Sequence, residues 1–352
     1  MSERNRVILL AAGLVLACGL LVAAAAIGLG AFGLVAGPIA PTPDFGGTLQ
    51  ALVAASTASG ASGASTAVPS LTPAASLDQP VGHIVLTCQI YKEISMEQIC
   101  IMNADGSGYR RLTTEDGVRH FYPSLAPDGR SVVYSAYRED NVYELYELTL
   151  ADGVAKRLTD RLGILVAPEI SPDGKLIVFT RGSATSDLSY VWLMNRDGSK
   201  PHRLISIPSW DPTWSPDGRQ ILFASSMDGS NQLYVINLDG SGLRKVTSLP
   251  ALRGRSDWSS QGQIVTYSGD SWKRELFLMS ADGSGLHQVS PAGGNSQGPS
   301  FSPDGFWITF TAYFDHMRED NGCEIYIIRT DGTDLRRLTD NDYCDYQPRW
   351  GP

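Results

Sequence analysis

Apolar and polar positions in the last three quarters of the chain form short alternating runs that are typical of β-strands. Within residues 212–247 the predicted strands are Thr213–Trp214, Gln220–Ala224, Leu233–Ile236 and Leu243–Thr247. Asp-Gly turns punctuate these runs, because glycine accepts the positive φ of a tight turn and aspartate bonds its own backbone. The pattern predicts a unit of four antiparallel strands, named A to D here in chain order.

The unit recurs roughly every 45 residues, which is the period of a β-propeller with one four-stranded blade per repeat. The turn after strand C has six copies: Asp105-Gly106, Asp152-Gly153, Asp197-Gly198, Asp239-Gly240, Asp282-Gly283 and Asp331-Gly332. The turn after strand A ends a Pro-x-x-Ser-Pro-Asp-Gly phrase at Pro168–Gly174, Pro212–Gly218 and Pro299–Gly305, with Ala126 in place of the serine at Pro123–Gly129 and a degenerate copy at Ser256–Gly262.

The two ends of the repeat region complement each other. The first copy, Gly82–Thr113, has strands B, C and D but no strand A, whereas Pro348–Pro352 matches the start of a repeat. We therefore predict that the C-terminal segment supplies strand A of the first blade. This closure completes a six-bladed ring and removes two open sheet edges.

The repeated phrase Pro-x-Trp-Ser-Pro-Asp-Gly, followed by Asp-Gly-Ser and then Arg-Leu-Thr, resembles the WD-like repeat of the TolB propeller family. The resemblance covers residues 82–352 in six copies. It implies an all-β, six-bladed propeller closed by a C-terminal strand. The small α/β domain that precedes the propeller in TolB itself has no counterpart before Gly82, so we interpret the chain as a relative of that family.

Residues 1–81 divide into three predicted segments. Residues 1–6 carry Arg4 and Arg6 and form a short cytoplasmic tail; residues 7–36 have no charge and are long enough to span a bilayer. Residues 37–81, rich in Ala, Ser, Thr, Gly and Pro, form a disordered linker. The arginines before the span predict a single-pass protein of a bacterial plasma membrane with an extracytoplasmic propeller. The alternatives are a cleaved signal peptide, which gives a secreted protein, and a lipid anchor at Cys18.

Charge and cysteine content narrow the class of partner and the compartment. The 28 basic and 37 acidic residues give a net charge of -9, which argues against nucleic acid or an anionic lipid surface as the partner. Four cysteines follow the predicted span, and an even number outside a membrane indicates disulfides. We predict Cys88–Cys100 and Cys323–Cys344, with Cys88–Cys344 as a competing pair and four free thiols as the alternative to both.

No catalytic or metal-binding pattern stands out from the sequence, and no cofactor is predicted. Gly294–Gly298 matches Gly-x-Ser-x-Gly but lies between two predicted strands, whereas a nucleophile elbow needs a helix after it. The five histidines lack metal-site spacing. The aspartates at 340, 342 and 345 are interpreted as a solvated loop rather than a calcium site. The predicted blade core contains repeat aromatics: Trp214, Trp258, Phe301 and Trp350 in strand A, and Tyr134, Phe179, Phe223, Tyr267 and Phe310 in strand B.

Two function classes follow. The first is a non-enzymatic binding module for a cell-envelope protein, peptide or glycan, and the alternative is a propeller-fold polysaccharide lyase or hydrolase with its site at the channel mouth. Function is expected on the face of the B–C and D–A loops, where the sequence departs from the repeat. The candidate ligand-binding residues are the aromatic, arginine and histidine side chains that the repeat does not require: His120, Phe121, Tyr122, Tyr137, Arg138, Trp210, Arg253, Arg255, Trp272, Tyr313, Phe314, His316, Tyr343 and Tyr346.

Overall fold

The computed structural model describes residues 79–91, 96–140, 142–314 and 322–352, and the regular structure of these residues is entirely β. The predicted tail, the predicted membrane helix and residues 37–78 of the predicted linker lie outside these ranges, as do Cys18 and His316. Within the described ranges, no helix has the length and apolar character needed to cross a bilayer. The prediction of an all-β propeller arrangement for the repeat region is confirmed.

Four sheets contain four strands each. The first consists of β1 (His83–Gln89), β2 (Glu97–Asn103), β3 (Arg110–Arg111) and β24 (Asp345–Gly351). The second consists of β12 (Trp210–Trp214), β13 (Gln220–Ser225), β14 (Gln232–Asn237) and β15 (Arg244–Lys245). The third consists of β16 (Leu252–Trp258), β17 (Gln263–Ser268), β18 (Glu275–Ser280) and β19 (His287–Gln288). The fourth consists of β20 (Gln297–Phe301), β21 (Trp307–Ala312), β22 (Glu324–Arg329) and β23 (Arg336–Arg337).

The fifth sheet has eight strands and divides into two similar halves. One half holds β4 (Arg119–Leu125), β5 (Ser131–Glu139), β6 (Val142–Thr149) and β7 (Ala155–Arg157). The other holds β8 (Ile164–Ile170), β9 (Leu176–Ser183), β10 (Ser186–Asn195) and β11 (His202–Arg203). A single parallel residue pair, Tyr143 with Ile164, joins the halves, whereas pairing within each half is antiparallel.

The C-terminal strand completes the first sheet as predicted. β24 pairs antiparallel with β1, so that His83 faces Gly351 and Ile84 faces Trp350. Strand A therefore begins about three residues earlier than the apolar pattern indicated, and strand D is only two or three residues long. The strand A difference arises because loop residues such as Trp210 already pair with the neighbouring strand.

Six buried clusters of apolar side chains fill the spaces between neighbouring sets of four strands. The repeated aromatics contribute as predicted, since Trp214, Phe223 and Phe310 are all buried. Each such side chain removed from water stabilises the fold by roughly 1.5–3 kcal/mol. The core thus lies between sheets. The strand ends and the innermost strands are therefore free to differ in sequence from one repeat to the next.

Tyr267 is an exception, and its predicted place in the strand B core series is wrong. In β17 the position that corresponds to Phe223 is occupied by Thr266, which pairs with Phe277 as Phe223 pairs with Tyr234. Tyr267 follows one residue later and faces the other side of the strand. The sequence comparison missed this one-residue shift because both positions lie in the same apolar run.

Hydrogen bonds show that the repeated polar residues have a structural role. In the Asp-Gly-Ser turns the aspartate accepts bonds from the serine, as in Asp239 with the Ser241 N–H at 2.9 Å. The threonine of Arg-Leu-Thr accepts a backbone N–H near the start of strand C, as Thr247 does from Leu233 at 2.9 Å. These side chains satisfy backbone groups at each turn, which supports the interpretation of the repeat aspartates as turn formers.

Both preferred disulfides are present. Cys88–Cys100 joins β1 to β2, and Cys323–Cys344 joins the segment before β22 to the segment before β24. Their separations of 12 and 21 residues are short. Loops of this length remove conformational freedom worth roughly 3 kcal/mol from the unfolded chain. Both bonds fasten elements next to the closing strand.

Candidate functional site

Six innermost strands, β4, β8, β12, β16, β20 and β24, form a closed cycle in which each contacts the next and the last contacts the first. They surround a central channel. Its turn end is lined by the Ser-Pro turns that follow strand A, and its loop end by the connections before strand A. Non-repeating side chains on these strands meet there, so the channel is where function can depart from scaffold.

Every innermost strand has a β-bulge at the same repeat position. One residue of each bulge has a positive φ, and only one of the six is a glycine. We call these six the bulge ring: Tyr122, Ala167, Asp211, Arg255, Gly298 and Gln347. The left-handed conformation costs a non-glycine residue roughly 1–3 kcal/mol and persists where the surroundings enforce it. The bulges re-aim side chains that a regular strand would place elsewhere.

A second layer, two residues further along each strand, forms the charged ring: Arg349, Ser124, Glu169, Thr213, Asp257 and Ser300. Long charged side chains alternate with short hydroxyl residues around the cycle. Arg349 lies 3.8 Å from Glu169 and 3.5 Å from Asp257. Thr213 donates to Glu169 at 3.2 Å. The ring links alternate innermost strands across the channel.

The charged ring forms the floor of a cavity of about 210 Å³ at the turn end, with Trp214, Trp258 and Trp350 in its walls. Burial raises the pKa of Glu169 to about 7, against the opposing effect of Arg349. One oxygen of Glu169, Oε2, has no hydrogen-bond partner in the part of the chain that the structure describes. The cavity thus combines aromatic walls with a carboxylate that titrates near neutral pH.

The loop end of the channel has the opposite electrostatic character. Burial and Asp211 raise the pKa of Tyr267 to about 12, and the guanidinium groups of Arg274, Arg255 and Arg253 oppose the rise. The charges of three arginines and of Asp211 therefore act on one phenol. Arg255 is only 6% exposed, and its guanidinium lies 5.2 Å from the ring centre of Tyr122, across the channel.

An exposed tryptophan and a half-buried tyrosine pack together beside these arginines. Trp272, in the loop between β17 and β18, is 47% exposed and packs edge to face on Tyr313 with ring centres 5.4 Å apart. Trp272 also has φ of 66°, an unusual conformation for so large a residue. The charge of Arg274 reaches the Tyr313 phenol, whose pKa burial raises. We call Tyr122, Arg253, Arg255, Tyr267, Trp272, Arg274 and Tyr313 the loop-end cluster.

The structure places a second group of predicted residues between the first sheet and β4. His120 is buried, its Nδ1 lies 2.9 Å from Gln98 Oε1, and burial and Arg138 lower its pKa to about 4. Phe121 is also buried, and Arg138 pairs with Glu115. Tyr137 donates to Asp140 at 2.7 Å. These side chains are engaged with the protein itself.

The remaining predicted residues lie apart from the loop-end cluster or serve the core. Trp210 and Phe314 pack against buried clusters, and Phe314 lies so close to Gly294 that no Cβ would fit there. Tyr343 lies in the loop before β24, and burial raises the pKa of Tyr346. Of the fourteen candidates, the structure gathers five into the loop-end cluster.

Sequence reasoning missed the charged ring, and it missed Tyr267 and Arg274. The signal for the ring was available: the variable position of the Pro-x-Trp phrase reads Ser, Glu, Thr, Asp, Ser and Arg in successive repeats. This position alternates between charged and hydroxyl residues, whereas its neighbours keep a similar residue type from repeat to repeat. Such a pattern indicates side chains that face a shared axis. Arg274 carried no comparable signal, since it follows Trp272 in an irregular loop.

The structure shows where the Gly-x-Ser-x-Gly string and the aspartates at 340 and 345 lie. Ser296 of the Gly-x-Ser-x-Gly string is buried and precedes β20, a strand rather than a helix. Asp340 pairs with Arg337 at 2.6 Å, and Asp345 accepts a bond from Asn341 at 2.9 Å. Among the described residues, no group of three or more His, Cys, Asp or Glu side chains is arranged to hold a metal ion.

Comparison with known proteins gives a family match over most of the chain. The profile described as the TolB beta propeller domain matches residues 85–352. The uncharacterized protein Atu1656 of Agrobacterium fabrum is 29% identical over 188 residues, which are 50% of this chain and 62% of that protein. The uncharacterized peptidase YuxL of Bacillus subtilis is 26% identical over 192 residues, 53% of this chain and 27% of the peptidase. The chain thus spans less than two thirds of these relatives.

Among solved structures, TolB from Acinetobacter baumannii superposes with a TM-score of 0.67 at 21% identity. The match covers 77% of this chain and 67% of that one. Identity this low supports the fold alone.

Proposed function

This chain belongs to the TolB β-propeller family, and from that premise we propose that its propeller is a binding module whose ligand docks on the loop-end cluster. The partner is a protein or peptide of the cell envelope. The propeller has six blades, with the eight-stranded sheet counted as two. Residues 7–36 anchor it in a bacterial plasma membrane, and residues 37–81 tether it outside the cytoplasm.

The observation that carries the proposal is the exposed Trp272, which packs on the half-buried Tyr313 beside the mouth of the channel. Neither ring belongs to a buried apolar cluster of the described residues, so the core does not require these side chains. Large aromatic residues that are exposed without a structural duty are frequent anchors of interfaces. The left-handed backbone at Trp272 holds its indole outward at an energetic cost, which is typical of functional positions.

A lyase or hydrolase at the channel mouth is the competing function class. The peptidase match spans about a quarter of that protein. At the turn end Ser300 donates to Asp257 at 2.8 Å and Thr213 donates to Glu169 at 3.2 Å, but the charged ring that holds these hydroxyl groups contains no histidine to act as a general base. A binding role needs none of this chemistry. That the chain is not an enzyme stays a prediction.

Site-specific photocrosslinking in the native host tests the docking face. A photoreactive amino acid at Trp272 in the full chain should give a discrete crosslinked product with an envelope protein. The matched position is Leu243, which is 39% exposed in a turn at the opposite face and should give none. Equal products from both positions would overturn the face assignment, and a product with a saccharide would replace the partner class.

A paired substitution separates binding from folding. Trp272→Ala and Tyr313→Ala should each abolish the crosslink formed from a second position, Lys273, while shifting the melting temperature by less than about 3 °C, because surface aromatics outside the core contribute little to stability. Retention of the crosslink in both variants would contradict the proposal.

A further inference from the structure

We propose that the loop-end cluster contains a carboxylate-binding subsite, built from Arg255, Arg274 and Arg253, that receives an acidic side chain or the terminal carboxylate of the bound peptide. The subsite deepens the proposed function, since it lies beside the Trp272–Tyr313 pair and names the chemistry that the partner must present there.

The first ground is that the Arg255 guanidinium is buried with unused hydrogen-bond donors. It is 6% exposed, and its Nε and Nη1 atoms have no hydrogen-bond partner among the described residues. Asp211 accepts the backbone N–H of Arg255 at 3.0 Å, but its carboxylate does not reach the guanidinium in an ion pair. A buried guanidinium with unused donors is costly unless an anion or ordered water meets it.

The neighbouring arginines are similarly available. The Arg274 Nε atom has no hydrogen-bond partner among the described residues, and Nη1 is bonded to the neutral Gln297 at 2.5 Å. Arg253 donates through Nε to the Gly269 carbonyl at 3.1 Å, also a neutral group. Among the described residues, three guanidinium groups with Asp211 as the nearby carboxylate give this point an excess of positive charge. The excess selects an anion.

The planar geometry of the guanidinium groups favours a carboxylate. The Arg255 guanidinium lies 5.2 Å from the Tyr122 ring centre, across the channel, and Gly298 lies beside the Arg255 stem. A guanidinium presents paired N–H donors that match the two oxygens of a planar carboxylate.

Calorimetric titration of the purified full chain tests the subsite. The probe is an acetylated tetraglutamate amide, and the matched control is the tetraglutamine amide. The acidic peptide should bind at low ionic strength and weaken by tenfold or more when salt rises from about 0.05 M to about 0.5 M, because the contact is ionic. The neutral peptide should bind at least tenfold more weakly. Equal binding of the two would overturn the proposal, as would tighter binding of inorganic phosphate or trigalacturonate.

Variants locate the effect. Arg255→Met should lower tetraglutamate affinity by about tenfold or more, and Arg274→Gln by about threefold to tenfold. Arg219→Gln serves as the control for net charge, because Arg219 lies in a turn at the opposite face and pairs with Asp217; it should change affinity by less than twofold. Unchanged affinity in both Arg255→Met and Arg274→Gln would refute the subsite.

Ligand-free melting distinguishes a binding role from a structural one. Since two buried donors of Arg255 have no hydrogen-bond partner among the described residues, Arg255→Met should melt at the same temperature as the parent or higher, whereas a structural arginine would lower it. If Arg255→Met fails to fold, Arg274→Gln still tests the affinity, because Arg274 is only partly buried. Loss of the Trp272 crosslink with intact tetraglutamate binding would refute the proposed docking face alone. An intact crosslink without tetraglutamate binding would refute the subsite alone.

Discussion

Glu169 shows how one side chain can couple the stability of the propeller to pH. Its carboxyl lies on the floor of the turn-end cavity beside Arg349, Asp257 and Thr213, and burial raises its pKa to about 7 from an ordinary value of 4.5. The folded state therefore keeps this proton to a higher pH than the unfolded chain does. The contribution of Glu169 to stability is fully present below pH 4.5 and is lost as the pH rises to about 7.

We expect Glu169→Gln to mimic the protonated form. The variant should be more stable than the parent at pH 8, by an amount on the order of 1–3 kcal/mol, and nearly equal to it at pH 4. The amide oxygen can still accept the Thr213 bond. Urea unfolding at both pH values measures the difference.

Glu139→Gln is the control, since Glu139 is exposed and pairs with Arg161 at the surface, and it should have little effect at either pH. A residual slope in Glu169→Gln is expected from Asp345, whose pKa burial also raises to about 7. Destabilisation of Glu169→Gln at pH 8 would show that the ionised pair with Arg349 stabilises the fold, contrary to this account.

At the scale of single residues, sequence reasoning identified what repeats and failed on what does not. The turn aspartates and the aromatics at Trp214 and Phe223 were assigned correctly because six copies fix their role. Arg255 was recognised as surplus to the repeat, but its burial opposite Tyr122 depends on the left-handed bulge, which no letter in the sequence encodes. Tyr267 was misplaced because a shift of one residue in a strand exchanges its two faces.

At the scale of strands and turns, the bulges show how a repetitive fold gains individual sites. Each bulge interrupts an A–B pairing, and at five of the six bulges the residue with positive φ carries a side chain. The repeat period predicted that the strands exist and in which order they occur. It did not predict the full length of strand A, because the additional residues at its start do not follow the repeat. The scaffold is thus readable from the repeat, and the site emerges only from the fold.

Removal of the closing strand tests the pairing of β24 with β1. A chain ending at Asp345 lacks the partners of His83, Ile84, Val85 and Thr87 and loses the buried Trp350 side chain. Exposing this edge and part of a core cluster should lower the melting temperature by more than about 10 °C or prevent folding, since the lost contacts exceed those of a frayed terminus. Differential scanning calorimetry measures the change.

Deletion of Pro352 alone is the control. This residue is exposed, and its carbonyl bonds only the exposed His83 ring at 3.1 Å among the side-chain bonds seen here. It should shift the melting temperature by less than about 2 °C. Near-equal melting of the chain ending at Asp345 and the parent would contradict the closure.

At the scale of the whole molecule, the two channel ends differ in chemistry. Among the described residues, the turn end presents tryptophans and two carboxylates against one arginine, whereas the loop end presents three arginines against Asp211. The closed ring of innermost strands places both ends on one axis. Acidic ligands are therefore expected to enter from the loop end.

The orientation of the chain across the membrane depends on residues 1–36. Arg4 and Arg6 precede an uncharged stretch of thirty residues, and the next basic residue is Lys92. This asymmetry predicts a cytoplasmic N-terminus and an external propeller, where the two disulfides can persist.

Fusions after Pro352 test this orientation. Alkaline phosphatase fused there should be active, whereas green fluorescent protein fused at the same position and exported by the general secretory route should not fluoresce. Removal of residues 7–36 should reverse both signals, because the propeller then stays in the cytoplasm with its cysteines reduced. Carbonate extraction separates the alternatives, since an anchored chain stays with the membrane pellet and a cleaved, secreted chain does not. An inactive phosphatase fusion to the full chain would reject the proposed topology.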